Sequence, residues 1–390
     1  MADHAHRQLV QQFPILNQMI FLNHAGVAPI SGPAAEALRR YADQGVTQAY
    51  VGSGWYAQVH HVKKMVAKLI GARGEHEIAF MPNTSTGLNM VAGGLDWREG
   101  DDVVITNVEY PANRYPWENL KRKGVSVIEV AQHSDGRVHA EDVMEAITDR
   151  TRVVAISHVQ YSSGCCIDLK PIAKMVHLAG GYLCIDAIQS VGAIPVDVQA
   201  MDIDFLSADG HKWMLGPEGC GIFYCREDLI EMIHPPVVGW MCMVNAEQYG
   251  DYQFELTNDG RRFEPGSYNI PGILSLGASV ELLLHVGMDE VCSAIEALTT
   301  CLCDGLTEIG YSVFSPRGHG ECSGIVAFDV PLSPHGVKPE MSPMEIVARL
   351  AKKGIVIVER EGHLRASPHY YNTPQQIRSL IEALDSISNG

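Results

Sequence analysis

The chain has no apolar run approaching the roughly eighteen residues a membrane-spanning helix needs, so no transmembrane segment is expected. Its start, Met1-Ala2-Asp3-His4-Ala5-His6-Arg7, lacks the charged-then-apolar build of a secretory leader. It also lacks an excess of positive charge. A net charge of −17 argues against nucleic acid as a partner. That charge does not exclude an anionic ligand, because local arginines and helix ends decide the matter. Ten cysteines are present, yet none forms a metal- or redox-type pair; Cys165-Cys166 and Cys301-x-Cys303 fit neither spacing. No metal site is therefore expected, and the thiols read as reduced, mostly buried groups of a cytoplasmic protein. Internal repeats and low-complexity segments are absent as well.

With 390 residues and 46% hydrophobic content, the chain can bury a large core and is expected to divide in two. Helical periodicity runs over Ala34 to Tyr50 and Gln58 to Ile70. Short buried strands are expected at Glu77 to Phe80, Asp102 to Thr106, Val125 to Val130 and Val153 to Ser157. Three more follow at Gly181 to Ile185, Ile203 to Leu206 and Gly221 to Tyr224. Seven apolar strands among helices predict an α/β fold with a mostly parallel seven-stranded sheet between helices. Pro235 to Pro271 has little periodicity and reads as a long functional loop. Ile273 to Glu308 reads as helix broken near Gly287, followed by strands near Gly324 to Phe328, Ile355 to Val358 and His363 to Ala366 and a last helix from Pro374. Residues 21–271 are expected to form the large domain, and residues 1–20 with 272–390 a smaller α+β one.

The chemistry is concentrated at strand ends. Leu183-Cys184-Ile185-Asp186 is an apolar strand closing on an acid, and Asp209-Gly210-His211-Lys212-Trp213 sets a lone lysine after the next strand. Pyridoxal phosphate needs that combination: a lysine for a Schiff base and an acid to keep the pyridine nitrogen protonated. Upstream, Asn83-Thr84-Ser85-Thr86-Gly87 is a hydroxyl-rich turn opening a helix, where N–H groups and the positive helix end could bind a phosphate. A plain helix cap explains the same residues. Tyr110, in Glu109-Tyr110-Pro111, could stack on a flat ring or simply lie on the surface. Gln189 lies on the turn after Asp186, within reach of a ring hydroxyl.

Taken in order, Asn-Thr-Ser-Thr-Gly, Glu-Tyr-Pro, Asp-Ala-x-Gln, Gly-His-Lys and Arg-Phe-Glu-x-Gly-Ser resemble the class V aminotransferase superfamily. This fold-type I pyridoxal phosphate group includes cysteine desulfurases, selenocysteine lyases and isopenicillin N epimerases. The resemblance runs from Phe21-Leu22-Asn23-His24 to Arg365-Ala366-Ser367-Pro368-His369. It implies that Lys212 is the Schiff-base lysine, Asp186 the partner of the pyridine nitrogen, Gln189 the ring-hydroxyl contact and Tyr110 the stacker. It assigns the phosphate to Thr84, Ser85, Thr86 and His211, with Asp209 where relatives carry serine. Ser267 matches a phosphate contact that relatives donate from a neighbouring subunit, which implies a homodimer with shared sites. Arg365 matches the arginine that clamps the substrate's α-carboxylate.

Two departures bear on the reaction. Where persulfide-forming desulfurases hold their nucleophilic cysteine on a loop before this arginine, the chain passes directly through Val358-Glu359-Arg360-Glu361-Gly362-His363-Leu364 to Arg365. Tyr161 stands where desulfurases carry Asn. The expectation is a C–S or C–Se β-lyase acting on an amino acid without a persulfide cysteine. An epimerase and an aminotransferase remain open, with Tyr110, His24 and Tyr161 as candidate groups on the substrate side. A non-enzymatic cofactor-binding module is disfavoured, because Lys212 and Asp186 are both present.

Overall fold

The computed structural model describes residues 9, 11–250, 252–331 and 341–389; residues 1–8, which carry the reading of the chain's start, lie outside the described residues. Numbered along the chain, the first strands are β1 (Ile20–Phe21), β2 (Ile78–Met81), β3 (Asp102–Thr106), β4 (Ser126–Val130) and β5 (Thr151–Ser157). Then come β6 (Tyr182–Asp186), β7 (Phe205–Asp209), β8 (Gly221–Cys225), β9 (Ser312–Val313) and β10 (Val326–Asp329). The last three are β11 (Ile355–Val356), β12 (Val358–Arg360) and β13 (His363–Ala366).

Seven strands form the main sheet in the order β2-β8-β7-β6-β5-β3-β4. Only β8 runs against its neighbours; every other adjacent pair is parallel. Every residue of β2, β3, β7 and β8 is buried, which is why these segments read as continuous apolar runs and not as alternations. Successive side chains feed two cores. Phe80, Val104, Ile156, Ile185 and Leu206 pack into one, while Ala79, Val103, Ala155, Cys184 and Phe205 pack into the other.

Because β2 to β7 share one direction, their C-terminal ends lie along one edge of the sheet, the usual ligand-binding edge of such folds. Asp186 closes β6 and Asp209 closes β7, while the helix Thr84–Gly94 begins just after β2. Gly87 allows that helix to lie close on the sheet. A Cβ there would meet the Ser207 Oγ of β7 at 2.2 Å, so a larger residue would lift the helix from the edge.

The helices Ile270–Val286 and Met288–Glu308 are separated by Gly287, at φ 91°, and bend by 83°. Among the described residues no single helix is long and apolar enough to cross a membrane. A second sheet, β12-β13-β10-β9, is antiparallel throughout. Leu302, Phe328, Leu350, Leu364 and Leu380 lie in the core it shares with its helices. Residues near the start of the described chain are tied to this sheet's neighbourhood. β1 pairs in parallel with β11, and Asn23 bridges to Ser367. All ten cysteines are free.

Candidate active site

A cavity of about 470 Å³ opens at the sheet edge. Its wall carries Asp186, Lys212, Tyr110, His211, Arg360 and Arg365, brought from four separate stretches of chain. Gln189, Asp209, Thr84 and Ser85 also face it.

Asp186 is 2% exposed and accepts one hydrogen bond from the Ile188 N–H at 3.1 Å. Burial first, then the nearby Glu109, pushes its carboxyl up to about 7. Lys212 moves the other way, down to about 8, with burial the largest cause. Its attraction to Asp186 resists that change, whereas Arg365 and Arg360 favour it. A carboxyl and an amine deprived of water both drift toward their neutral forms. Lys212 Nζ also lies 5.6 Å from the centre of the Tyr110 ring. Tyr110 is 47% exposed at the cavity mouth and meets Tyr161 edge-on, with ring centres 5.2 Å apart.

The first turn of the Thr84–Gly94 helix makes an anion cradle. Asn83 caps it, its Oδ1 accepting from the Thr86 N–H at 2.9 Å. Thr84 Oγ1 accepts from the Asp209 N–H at 2.9 Å, which leaves the hydroxyl proton free to donate. His211 Nδ1 lies 3.0 Å from Asp209 Oδ2 without meeting hydrogen-bond geometry and is otherwise unpartnered. An acid at one end, a lysine, an aromatic face and a donor-rich helix start fit the ring, aldehyde and phosphate of pyridoxal phosphate.

Arg365 is almost fully buried. Its Nη1 donates to the Tyr161 carbonyl at 2.6 Å and its Nη2 reaches Asn23 Oδ1 at 3.5 Å, while buried Nε has no partner. Burial, then repulsion from Arg360, lowers its pKa to about 9, so the guanidinium keeps its proton at neutral pH. A buried, partly unpaired guanidinium facing a cavity is suited to a carboxylate.

Three residues expected at the site are placed elsewhere. Thr86 does not line the cavity; its hydroxyl donates to Asn83. Ser267 is exposed and also off the cavity wall in a single chain. His24 lies behind the wall, with Nδ1 donating to the Ser367 carbonyl at 2.8 Å and Nε2 accepting from the Tyr371 hydroxyl. Tyr161 does line the cavity, but its phenol is committed to Glu361 Oε1 at 2.7 Å. Burial, then Glu361, raises its pKa. Gln189 faces the cavity with Nε2 bound to the Ala25 carbonyl at 3.0 Å and Oε1 to Trp213 Nε1 at 2.8 Å.

Sequence reasoning missed Asn83, Asn23 and Arg360. Asn83 had a visible signal, since it precedes the Thr-Ser-Thr helix start. It also missed why Tyr110 is held in place. The preceding Glu109 is buried in a cage of donors from Thr106, Asn113, Ser157 and Gln160.

Behind the site, His369 is fixed as a neutral tautomer: Nδ1 accepts from the Tyr370 N–H at 2.9 Å, so Nε2–H faces the Trp213 carbonyl at 3.0 Å. Burial lowers its pKa to about 4, and lowers that of His158 to about 4. The unfolded chain takes up protons near pH 6.5 that the folded chain refuses until about pH 4. Stability contributed by these rings is therefore complete above pH 6.5 and is lost as pH falls toward 4. Each ring contributes a slope of up to about 1.4 kcal/mol per pH unit. His369→Gln is expected to flatten the fall of melting temperature between pH 6.5 and 4. An unchanged slope would show that the ring does not resist protonation.

These features define a fold-type I pyridoxal phosphate enzyme: a mostly parallel sheet whose edge presents an acid, a lysine and an anion cradle to one cavity. The chain belongs to the aminotransferase class-V family, whose model matches residues 20–380. It is 31% identical over 395 residues to a probable cysteine desulfurase of Methanothermobacter thermautotrophicus, covering 97% of each chain. The structure of a cysteine desulfurase from Thermococcus onnurineus superposes with a TM-score of 0.88 at 25% identity, covering 98% of each chain. The cystine C–S lyase C-DES shares the fold with a TM-score of 0.87 at 23% identity, over 96% of this chain and 99% of that one. Pyridoxal 5'-phosphate is the cofactor of this family.

Proposed function

We propose that the protein is a cysteine desulfurase-like β-lyase that cleaves a C–S or C–Se bond of an amino acid without a persulfide cysteine. The observation that carries this reading is the β12–β13 hairpin. Its turn is two residues long, Glu361 and Gly362, both at positive φ (51° and 88°), and it leads straight into the strand bearing Arg365. A cysteine-bearing loop has no place there, and no cysteine lines the cavity among the described residues.

When bound, pyridoxal phosphate supplies an electron sink for the charge left on the substrate's α carbon. Lys212 would hold it, Asp186 would take the ring nitrogen's N–H, and Tyr110 would cover the ring. Thr84, Ser85 and His211 would take the phosphate, and Gln189 the ring hydroxyl. Arg365 would hold the α-carboxylate and so aim the Cα–H bond at Lys212. The lowered pKa of Lys212 favours a free amine, which is the form that accepts the α proton. Epimerisation needs a second base on the opposite face. The phenol of Tyr161 is bound to Glu361 and His24 lies behind the wall, which favours elimination.

The test is sulfur balance. After many turnovers on L-cystine, intact-protein mass spectrometry should find no added sulfur on the chain, all of it having left in solution. A persulfide on Cys322, or on any other cysteine that turnover requires, would defeat the relay-free reading.

We also infer a cytoplasmic homodimer in which residues 235–271 reach the partner's site, Ser267 serving the partner's phosphate. The exposed Trp240, Tyr249, Tyr252 and Phe254 on this segment support it. Sedimentation should give a dimer; a fully active monomer would contradict it.

A further inference from the structure

The phosphate end of the cavity holds an acid. Asp209 closes β7, is 5% exposed and lines the cavity together with Thr84, Ser85 and His211. A carboxylate so buried repels a phosphate on the same wall unless a cation answers it. The other charged groups on that wall are placed otherwise. On the proposed reading Asp186 and Lys212 meet the cofactor's ring and aldehyde and Arg365 the α-carboxylate, while Glu218 and Arg360 are exposed to water. His211 is the group within reach that can carry the balancing charge. Its Nδ1 lies 3.0 Å from Asp209 Oδ2.

The turn holds this pair from its backbone. Asp209 Oδ1 accepts from the Gly210 N–H at 2.7 Å, which fixes the carboxylate and leaves Oδ2 for the ring. The Gly210 N–H also reaches the Cys220 carbonyl at 3.0 Å, and the His211 carbonyl accepts from the Ala28 N–H at 2.8 Å. The chain is therefore tied on both sides of the imidazole. The Nδ1–H direction is off the line to Oδ2, yet attraction between charges at this distance depends on separation more than on alignment. Among the described residues Nε2 has no hydrogen-bond partner, and the ring lines the cavity. Asp209 aims a second donor as well. Its N–H is accepted by Thr84 Oγ1 at 2.9 Å, which leaves the Thr84 hydroxyl proton for another acceptor.

We propose that Asp209 is a positioning residue for the cofactor's phosphate. It does not touch the phosphate. Its carboxylate holds the Nδ1–H of His211, so that the ring keeps a second proton on Nε2 and presents a charged donor to the phosphate. Flanked by two anions, the imidazole is a cation in the loaded protein. The acid thereby strengthens phosphate binding, whereas an acid facing the phosphate directly would oppose it. This rests on the reading that assigns the phosphate to Thr84, Ser85 and His211.

The test is a double-mutant cycle on cofactor affinity at neutral pH, followed by cofactor absorbance in the wild type, Asp209→Asn, His211→Gln and the double variant. Asparagine keeps the size of the side chain and the acceptor for the Gly210 N–H and removes only the charge. Asp209→Asn should weaken pyridoxal phosphate about tenfold, the difference between a charged and a neutral donor. Made on the His211→Gln background, the same change should cost less than about twofold. Pyridoxal, which lacks the phosphate, should bind all four proteins alike. Losses that multiply in the double variant, an equal loss on pyridoxal, or an Asp209→Asn protein as tight as the wild type overturns the proposal. His211→Gln with undiminished affinity for pyridoxal phosphate would refute the phosphate assignment itself, and the proposal with it. A second measurement needs no Asp209 variant. Nitrogen-15 NMR of the histidine-labelled holoenzyme, with His211 assigned by its absence in His211→Gln, should show hydrogens on both ring nitrogens. A neutral ring with one bare nitrogen overturns the proposal whether or not Asp209→Asn folds.

Discussion

Lys212→Ala is expected to lower turnover by at least about a thousandfold, because one substitution removes both the cofactor's attachment and the base for the α proton. The fold should survive. Lys212 is buried with its pKa lowered mainly by desolvation, so truncating its side chain to a methyl group relieves that cost, removes no structural hydrogen bond and only enlarges the cavity it already lines. The variant's melting temperature as apoprotein should therefore equal or exceed that of the wild type. Borohydride treatment of the wild-type holoenzyme should leave a pyridoxyl group on the peptide containing Lys212. The variant should bind the cofactor without any such adduct. An adduct on another lysine, or a variant retaining normal turnover, would place the chemistry elsewhere.

Arg365→Ala should reduce kcat/KM by roughly two orders of magnitude, since a carboxylate held by two charge-assisted hydrogen bonds loses about 3 kcal/mol. Arg365→Lys should recover little of that loss. A point charge on a flexible stem cannot supply two parallel donors while also reaching the Tyr161 carbonyl and Asn23. Because Arg365 is 1% exposed, the Ala variant leaves a void and two unpaired acceptors, and general destabilisation has to be separated from lost recognition. Comparing each substrate with its α-carboxamide does so. The wild type should strongly prefer the acid, whereas the variant should treat the two alike. A preserved preference in the variant would mean that another group holds the carboxylate.

Much of this could be read from residue order, for physical reasons. The seven strands of the main sheet are short apolar runs bounded by polar turns, and all seven were expected within a few residues of their observed places. The break at Gly287 was visible because a glycine interrupts an otherwise helical pattern. Asp186 and Lys212 were legible because the acid and the lysine follow consecutive apolar strands of a parallel arrangement, which puts both at one sheet edge. The reversed direction of β8 was not legible, since burial on both faces looks the same whichever way a strand runs. β1 escaped notice as well: it is two residues long, and its partner β11 lies at the far end of the chain. Arg360 was hidden for a related reason. Only the pairing of Val358 with Arg365 decides that Arg360 shares a face with the carboxylate arginine, and a shift by one residue would turn it away. His24 shows the opposite error. A histidine within the Phe21-Leu22-Asn23-His24-Ala25-Gly26 motif looked like a substrate contact, yet its ring spans Ser367 and Tyr371 inside the protein.

The most direct measurement follows L-cystine and the holoenzyme by NMR in deuterated buffer. Elimination at the β carbon predicts pyruvate, ammonium and a persulfide in equal amounts, with the remaining cystine optically unchanged. α-Deuterated cystine losing its optical rotation without pyruvate, or a cofactor left in its amine form and restored only by a keto acid, would contradict the account.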